Sequence, residues 1–308
     1  MDWTDKKLQL RFCVSDVRFF TMSFAGLAHR CHGVPGANGI PSIARKSFPP
    51  GVEVISIRDC PISAPMPRLQ FGDGLLRYTI NQCLQYSIHM GGTFEEYLAT
   101  LSSKTRSTLK RKVKKFAEAN GGALDCRVYS TPEQMPEFHR LARAVAVETY
   151  QEKLFDGAIP ADEEFRNQLV KLAAEDRVRA FLLFLHGEPV SYLYLPVEAG
   201  VLEYSHLGYK PAASDLSAGT VLLYLALEKL FSEKRFHKFD FSYGQNQTKE
   251  VFCTDKSLRA DIHYFRRTIK NLLGVSAHAA TDAFSAACGR MMERIGLRQR
   301  IRKLLRSV

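Results

Sequence analysis

Three short segments in the middle of the chain leave little freedom about the fold. Residues 179–185, 189–197 and 201–209 are rich in β-branched, aromatic and leucine side chains, and His186-Gly187-Glu188 and Glu198-Ala199-Gly200 separate them. Runs of this kind bounded by turn residues read as strands, and connections this short join antiparallel neighbours. Apolar residues do not alternate with polar ones along them, so both faces of the meander need cover. Helices at 131–150 and 163–174, with the apolar spacings Phe138/Leu141/Val145 and Phe165/Leu169/Leu172, can supply it. The fold class that follows is α+β, an α/β three-layer arrangement of a central sheet flanked by helices.

After the third strand come a turn over 210–216, a helix from Gly219 to about Lys234, a strand at 238–241, a short helix at 248–253 and a last strand at 260–266. A helix start leaves four backbone N–H groups without intrahelical partners, and the dipole adds about half a positive charge there. Leu216 precedes Ser217-Ala218-Gly219-Thr220, small residues that let an anion approach the backbone, and Lys210 follows the strand end as a point charge. These six residues form the expected pyrophosphate-type site. Simple N-capping is the other reading of the same residues.

Upstream, the spacing predicts a helix over 93–118. Thr93-Phe94-Glu95-Glu96 is a capping box, and Lys104, Arg106, Lys110, Arg111, Lys112, Lys114 and Lys115 crowd the polar face. That face is either solvated or a groove for RNA, a carrier protein or cofactor phosphates. The first ninety residues show strands at 8–14, 52–57 and 85–90, with loops at 33–39 and 60–67. Residues 268–308 read as helical, ending over 295–305 in a basic amphipathic helix that packs on the domain or makes a peripheral membrane or partner contact. The expected divisions are 1–92, 93–267 and 268–308.

A length of 308 residues suits about two domains. The 45% hydrophobic and 24% charged content is that of a globular chain. The sequence has no eighteen-residue apolar run and its N-terminus lacks a signal-peptide pattern, so a cytoplasmic protein is expected. Seven scattered cysteines without C-x-x-C spacing point to reduced thiols and no metal centre, and His29-Arg30-Cys31-His32 lacks a second ligand pair. The net charge of +11 draws phosphate-bearing partners: coenzyme A, acyl carrier protein, RNA or an anionic membrane.

The order strand, strand, strand, phosphate-type loop, helix, strand, short helix, strand resembles the GNAT fold. Leu216-Ser217-Ala218-Gly219-Thr220-Val221-Leu222, Phe239-Asp240-Phe241-Ser242-Tyr243-Gly244 and Thr248-Lys249 resemble the cellulose-biosynthesis CelD/BcsL type of GNAT acyltransferase, and more distantly the FemABX group. The resemblance covers roughly 93–266. It implies a GNAT acyl-CoA N-acyltransferase fold with a mixed central sheet, and a degenerate GNAT-like half at the N-terminus. Two departures stand out. The loop carries one glycine, Gly219, where the common R/Q-x-x-G-x-G/A motif has two, and Thr248-Lys249 replaces the family's Tyr-Lys pair.

The resemblance implies acyl transfer, probing four candidate catalytic residues. Asp240 ends a strand beside the cofactor loop, Tyr243 could protonate a leaving thiolate, and Lys249 could orient a carboxylate or phosphate. His206, with Glu203 on the opposite face of its strand, has the pKa of a base. Turn capping, packing, solvation and a structural hydrogen bond are the respective alternatives. The expected activity is N- or O-acyl transfer, typically acetyl, from acyl-CoA to a small-molecule or glycan amine or hydroxyl in a biosynthetic pathway. Two alternatives accompany it: an aminoacyl-tRNA or acyl-carrier-protein donor, and a non-catalytic module binding RNA or membrane.

Overall fold

The computed structural model describes residues 3–14, 17–31, 43–72, 74–149, 158–242 and 247–294. The chain divides into two compact units, 1–83 with 258–308, and 84–257. The described residues of the tail, 268–294, group with the N-terminal ones.

The first unit contains strands β1 (Thr4–Asp5), β2 (Leu8–Val14), β3 (Val17–Phe24), β4 (Gly26–Arg30), β5 (Val54–Pro61) and β6 (Leu69–Gly72). It also holds the start of β7 (Leu75–His89). Strands β1, β3, β4 and β6 exceed the sequence expectation; in β3 the adjacent Phe19 and Phe20 are both exposed, so the alternation that marks a strand fails there. β2 and β3 form an antiparallel hairpin, and β4 pairs β5 in parallel from Gly26↔Val54 to Arg30↔Arg58.

The second unit carries the site. The first helix expected over 93–118 is two helices, α1 (Phe94–Thr100) and α2 (Ser103–Ala119). The predicted capping box of Thr93 and Glu96 opens α1. Leu101 then turns extended, and the Ser102 side chain accepts from the Thr105 amide, starting a new helix. There follow β8 (Asp125–Tyr129), α3 (Met135–Val147) and α4 (Glu163–Ala174). Helix α3 stops at Val147, short of the predicted end near Tyr150, which lies outside the described residues.

The meander forms as β9 (Val178–Leu185), β10 (Glu188–Glu198), β11 (Val201–Glu203) and β12 (His206–Tyr209). The predicted third strand is therefore interrupted. Val197 pairs Leu202 but Tyr194 pairs His206, a one-residue shift that leaves a bulge at Tyr204-Ser205. Next come α5 (Ala218–Ser232), β13 (Lys238–Asp240) and α6 (Gln247–Phe252). Within the unit the sheet order is β7-β13-β11-β10-β9-β8, parallel at β11–β13 and antiparallel elsewhere, so the sheet is mixed.

Both faces of the meander are covered, as its composition requires. Phe181, Leu183, Leu193 and Leu195 pack with α1, α2 and α5, and Val178, Leu182, Tyr192 and Tyr194 pack with α3 and α4. The remaining elements lie at the C-terminal end of the chain: β14 (Asp255–Arg266), which pairs β5 through Tyr264↔Ile55, and α7 (Ile269–Arg294). No helix of the described residues is long and apolar enough to cross a membrane. The basic segment 295–305 lies outside the described residues.

Candidate functional site

The site begins where β11 and β13 separate. They pair in parallel as far as Glu203↔Asp240, and the Tyr204 amide makes a last bond to the Asp240 carbonyl at 2.8 Å. Beyond the bulge β12 stays on β10, whereas the chain after β13 turns to the other side, the Phe241 amide bonding to the Tyr86 carbonyl at 3.0 Å. Two strands paired at one end and apart at the other make a wedge.

Helix α5 starts at this wedge. A 3-10 turn, Pro211–Leu216, leads to Ser217, which takes a left-handed conformation (φ 54°, ψ 41°) without a side-chain cap. The amides of Thr220 and Val221 both bond to the Ser217 carbonyl, at 2.9 and 3.0 Å. Those of Ala218 and Gly219 are the first-turn donors left over. A Cβ on Gly219 would stand 3.1 Å from Tyr209 Cδ1 and 3.2 Å from Leu207 Cδ2, so the glycine keeps this approach open.

A cavity of about 180 Å³ fills the wedge, lined by Tyr204, Leu207, Tyr209, Ser214, Ser217, Gly219, Thr220 and Thr248. A second, of about 340 Å³, shares Thr220 and Thr248 with it and extends along α2 and α6, lined by Lys104, Thr105, Thr108, Leu109, Lys112, Gln247, Val251 and Phe252. Lys115 Nζ donates to the Asp215 carbonyl at 2.9 Å, tying α2 to the turn before α5. The lysine-rich helix therefore flanks the turn before α5, and Lys104 and Lys112 border the larger cavity. Tyr204 stays protonated, because burial pushes its phenol well above the ordinary tyrosine range.

The residues expected from sequence are distributed unevenly. Ser217, Gly219 and Thr220 line the wedge cavity, and Ala218 supplies a first-turn amide. Leu216 packs against the core beside α2 and α5. Lys210 turns elsewhere, its ammonium 3.0 Å from the Glu148 carboxylate. Asp240 is buried and caps the following turn: Oδ1 accepts from the Ser242 amide at 2.8 Å, Gln85 Nε2 donates to both oxygens at 2.9 and 2.8 Å, and Lys238 Nζ stands 3.5 Å from Oδ2.

Lys249 is 6% exposed, so it is no solvated lysine; its Nζ lies 3.5 Å from the Ser242 carbonyl and 6.0 Å from the Tyr204 ring centroid. The Ser242 hydroxyl donates to Glu203 Oε1 at 3.2 Å. His206 alternates with Leu207 and Tyr209 along β12 and meets Tyr194 and Phe165, each at 6.0 Å between centroids, on the α3–α4 side of the sheet. It lines neither cavity. Tyr243 lies outside the described residues. Sequence reasoning missed Tyr204, quoted Thr248 only as a departure from a family pair, and left the lysine face that holds Lys104 and Lys112 as either solvated or a groove. Each depends on the bulge or on the packing of α2 against α5, which leave no local pattern.

Comparison with known proteins bears on this geometry. Residues 103–250 match the family model described as "Acetyltransferase (GNAT) domain". A search of curated proteins gives no match. Among solved structures the chain is similar to FemX, at 13% identity over 72% of this chain and 74% of that one, with a TM-score of 0.51. It is also similar to L-PGS from Bacillus licheniformis, at 14% identity over 88% of each chain, with a TM-score of 0.49. Residues 103–250, a little under half of the chain, are thus similar to a GNAT acetyltransferase domain, and the chain shares its fold with FemX.

Proposed function

We propose that residues 84–257 transfer an acyl group, acetyl in the simplest case, from acyl-CoA to an amine or hydroxyl of a small-molecule or glycan acceptor in a biosynthetic pathway. The observation that carries this reading is the wedge cavity lined by Ser217, Gly219 and Thr220 at the start of α5, whose first-turn amides Ala218 and Gly219 supply. Those amides would hold the donor's pyrophosphate, and the dipole of α5 would favour its charge. Tyr204, Leu207 and Tyr209 would wall the thioester arm. The donor brings an activated carbonyl; the chain's residues supply position and protons.

In the reaction the acceptor nitrogen or oxygen bonds to the thioester carbon, the carbon–sulfur bond breaks, the acceptor's N–H or O–H proton leaves to water, and the thiolate takes a proton. Tyr204, at the cavity wall and held protonated, is the proposed donor of that proton. Asp240, Ser242, Glu203 and Lys249 form a hydrogen-bonded frame that fixes the wedge and positions Tyr204. Within the superfamily, the Phe239-Asp240-Phe241 strand and the single-glycine loop favour the CelD/BcsL type.

Lys104 and Lys112 at the larger cavity support a second reading, in which the donor is a charged tRNA or an acyl carrier protein as in FemABX-like enzymes. Thermal shift separates the two. A ligand present at 100 times its dissociation constant stabilises by about 2.7 kcal/mol. Acetyl-CoA should raise the melting temperature under the first reading, and the Lys104→Gln/Lys112→Gln variant should weaken that binding roughly tenfold. A shift with carrier protein or charged tRNA alone selects the second. No shift with any of the three contradicts both and leaves a non-catalytic module.

A further inference from the structure

Helix α7 has two apolar faces. The inner one, Leu272, Val275 and Ala279, joins the cluster around Leu10, Phe24, Val54, Leu76, Tyr78 and Phe265. Gly274 allows that closeness, since a Cβ there would stand 2.7 Å from Met22 Cε. The outer face is unlike an ordinary solvated one. Leu273, Phe284 and Met291 are 65%, 60% and 64% exposed, and the exposed Ala277, Ala280 and Ala287 lie between them.

Leu273, Ala280 and Ala287 recur every seven residues, and Ala277, Phe284 and Met291 follow each of them by four. This is the d-and-a spacing of a two-helix seam. It runs from 273 to 291, about 27 Å of helix. The seam is also its own complement. Laid antiparallel on a second copy about a two-fold axis at position 282, Leu273 meets Met291, Ala277 meets Ala287, and Phe284 meets Ala280. Every layer then joins an a position to a d position, and the one aromatic ring faces an alanine. A parallel copy would set Phe284 on Phe284 and alanine on alanine, alternating overfull and empty layers.

Of the flanking positions, Gly274, Ser276, Thr281, Ala283 and Cys288 are uncharged, and the one charged position, Arg290, falls level with the uncharged Gly274 of a second copy, so no two like charges meet in this register. A helix that lies on a membrane has a lysine- and arginine-rich polar face. The face opposite this seam is instead packed on its own sheet, and alanine offers a bilayer little. We propose that the chain self-associates as a two-fold antiparallel dimer through the outer face of α7. One helix pair is smaller than the roughly 800 Å² per partner of a standard interface, so a dissociation constant on the order of 10 μM is expected.

Sedimentation of the full chain across that range tests this. The wild type should pass from monomer to dimer, and Phe284→Glu and Ala280→Glu, both at exposed positions, should stay monomeric with an unchanged melting temperature. For the register, in a Cys288→Ser background, an Ala277→Cys chain mixed with an Ala287→Cys chain should yield a covalent heterodimer with a short bismaleimide, above the background of the Cys288→Ser chain alone. A monomeric wild type, a dimer indifferent to both glutamates, or efficient cross-linking of the Ala277→Cys chain to itself overturns the proposal. So does a monomer that binds phosphatidylserine vesicles and loses that binding in Phe284→Glu, which would assign the face to a membrane.

Discussion

His263, in β14, is 2% exposed, and its Nδ1 shares a hydrogen bond with Ser56 Oγ at 2.9 Å. Burial is the main cause that lowers its pKa to about 4; Asp261 opposes the shift, and Arg58 and His278 add to it. The unfolded chain therefore binds this proton near pH 6.5 and the folded chain only near pH 4. Stability is complete above pH 6.5 and falls as pH drops from there toward 4, by an amount on the order of 3 kcal/mol. Urea unfolding of wild type and His263→Gln between pH 4 and 8 checks this: the variant should lose less stability on acidification. Equal slopes would show that other groups carry the acid sensitivity. At this scale the sequence says least. Asp240 was legible as a residue beside the loop before α5, but the Gln85 amide that engages both its oxygens lies 155 positions away. His206 was placed on the correct strand, yet the face it occupies depends on the bulge that precedes it.

Elements were more legible, because capping and periodicity are local. Helix α4 matches the expected 163–174, and α5, β13 and α6 fall within a few residues of expectation. The break between α1 and α2 was missed because Ser102-Ser103 interrupts a pattern that remains apolar at helical spacing on both sides. The two accounts of this segment predict opposite signs. In a continuous helix Ser102→Ala would stabilise through better helix propensity, by a few tenths of a kcal/mol. As the N-cap of α2, bonded to the Thr105 amide, the same change should cost about 1 kcal/mol. Chemical denaturation of the single variant decides between them.

For the whole molecule, the doubly apolar meander fixed the three-layer plan of residues 84–257, and the pattern after it fixed the position of the helix start. The remainder of the chain resisted reading for a physical reason. In the first unit, strands that contact each other are remote in sequence: β5 pairs β14 at Ile57↔Ile262. The hairpin β2–β3 exposes Phe19 and Phe20 where alternation would place polar residues. Topology of that kind leaves no local signature, so the association of the tail with the N-terminus emerges only in three dimensions.

The central claim is that the start of α5 and the wedge beside it hold the phosphate-bearing acyl donor. Calorimetric titration of acetyl-CoA into wild type and Gly219→Val tests it most directly. The valine side chain would enter the space that Leu207 and Tyr209 border, 3.1–3.2 Å from the glycine's Cβ position, with a folding cost of about 1–3 kcal/mol. The account predicts saturable binding to the wild type and its loss in a Gly219→Val protein whose circular dichroism is unchanged. Undiminished binding by that folded variant would contradict it.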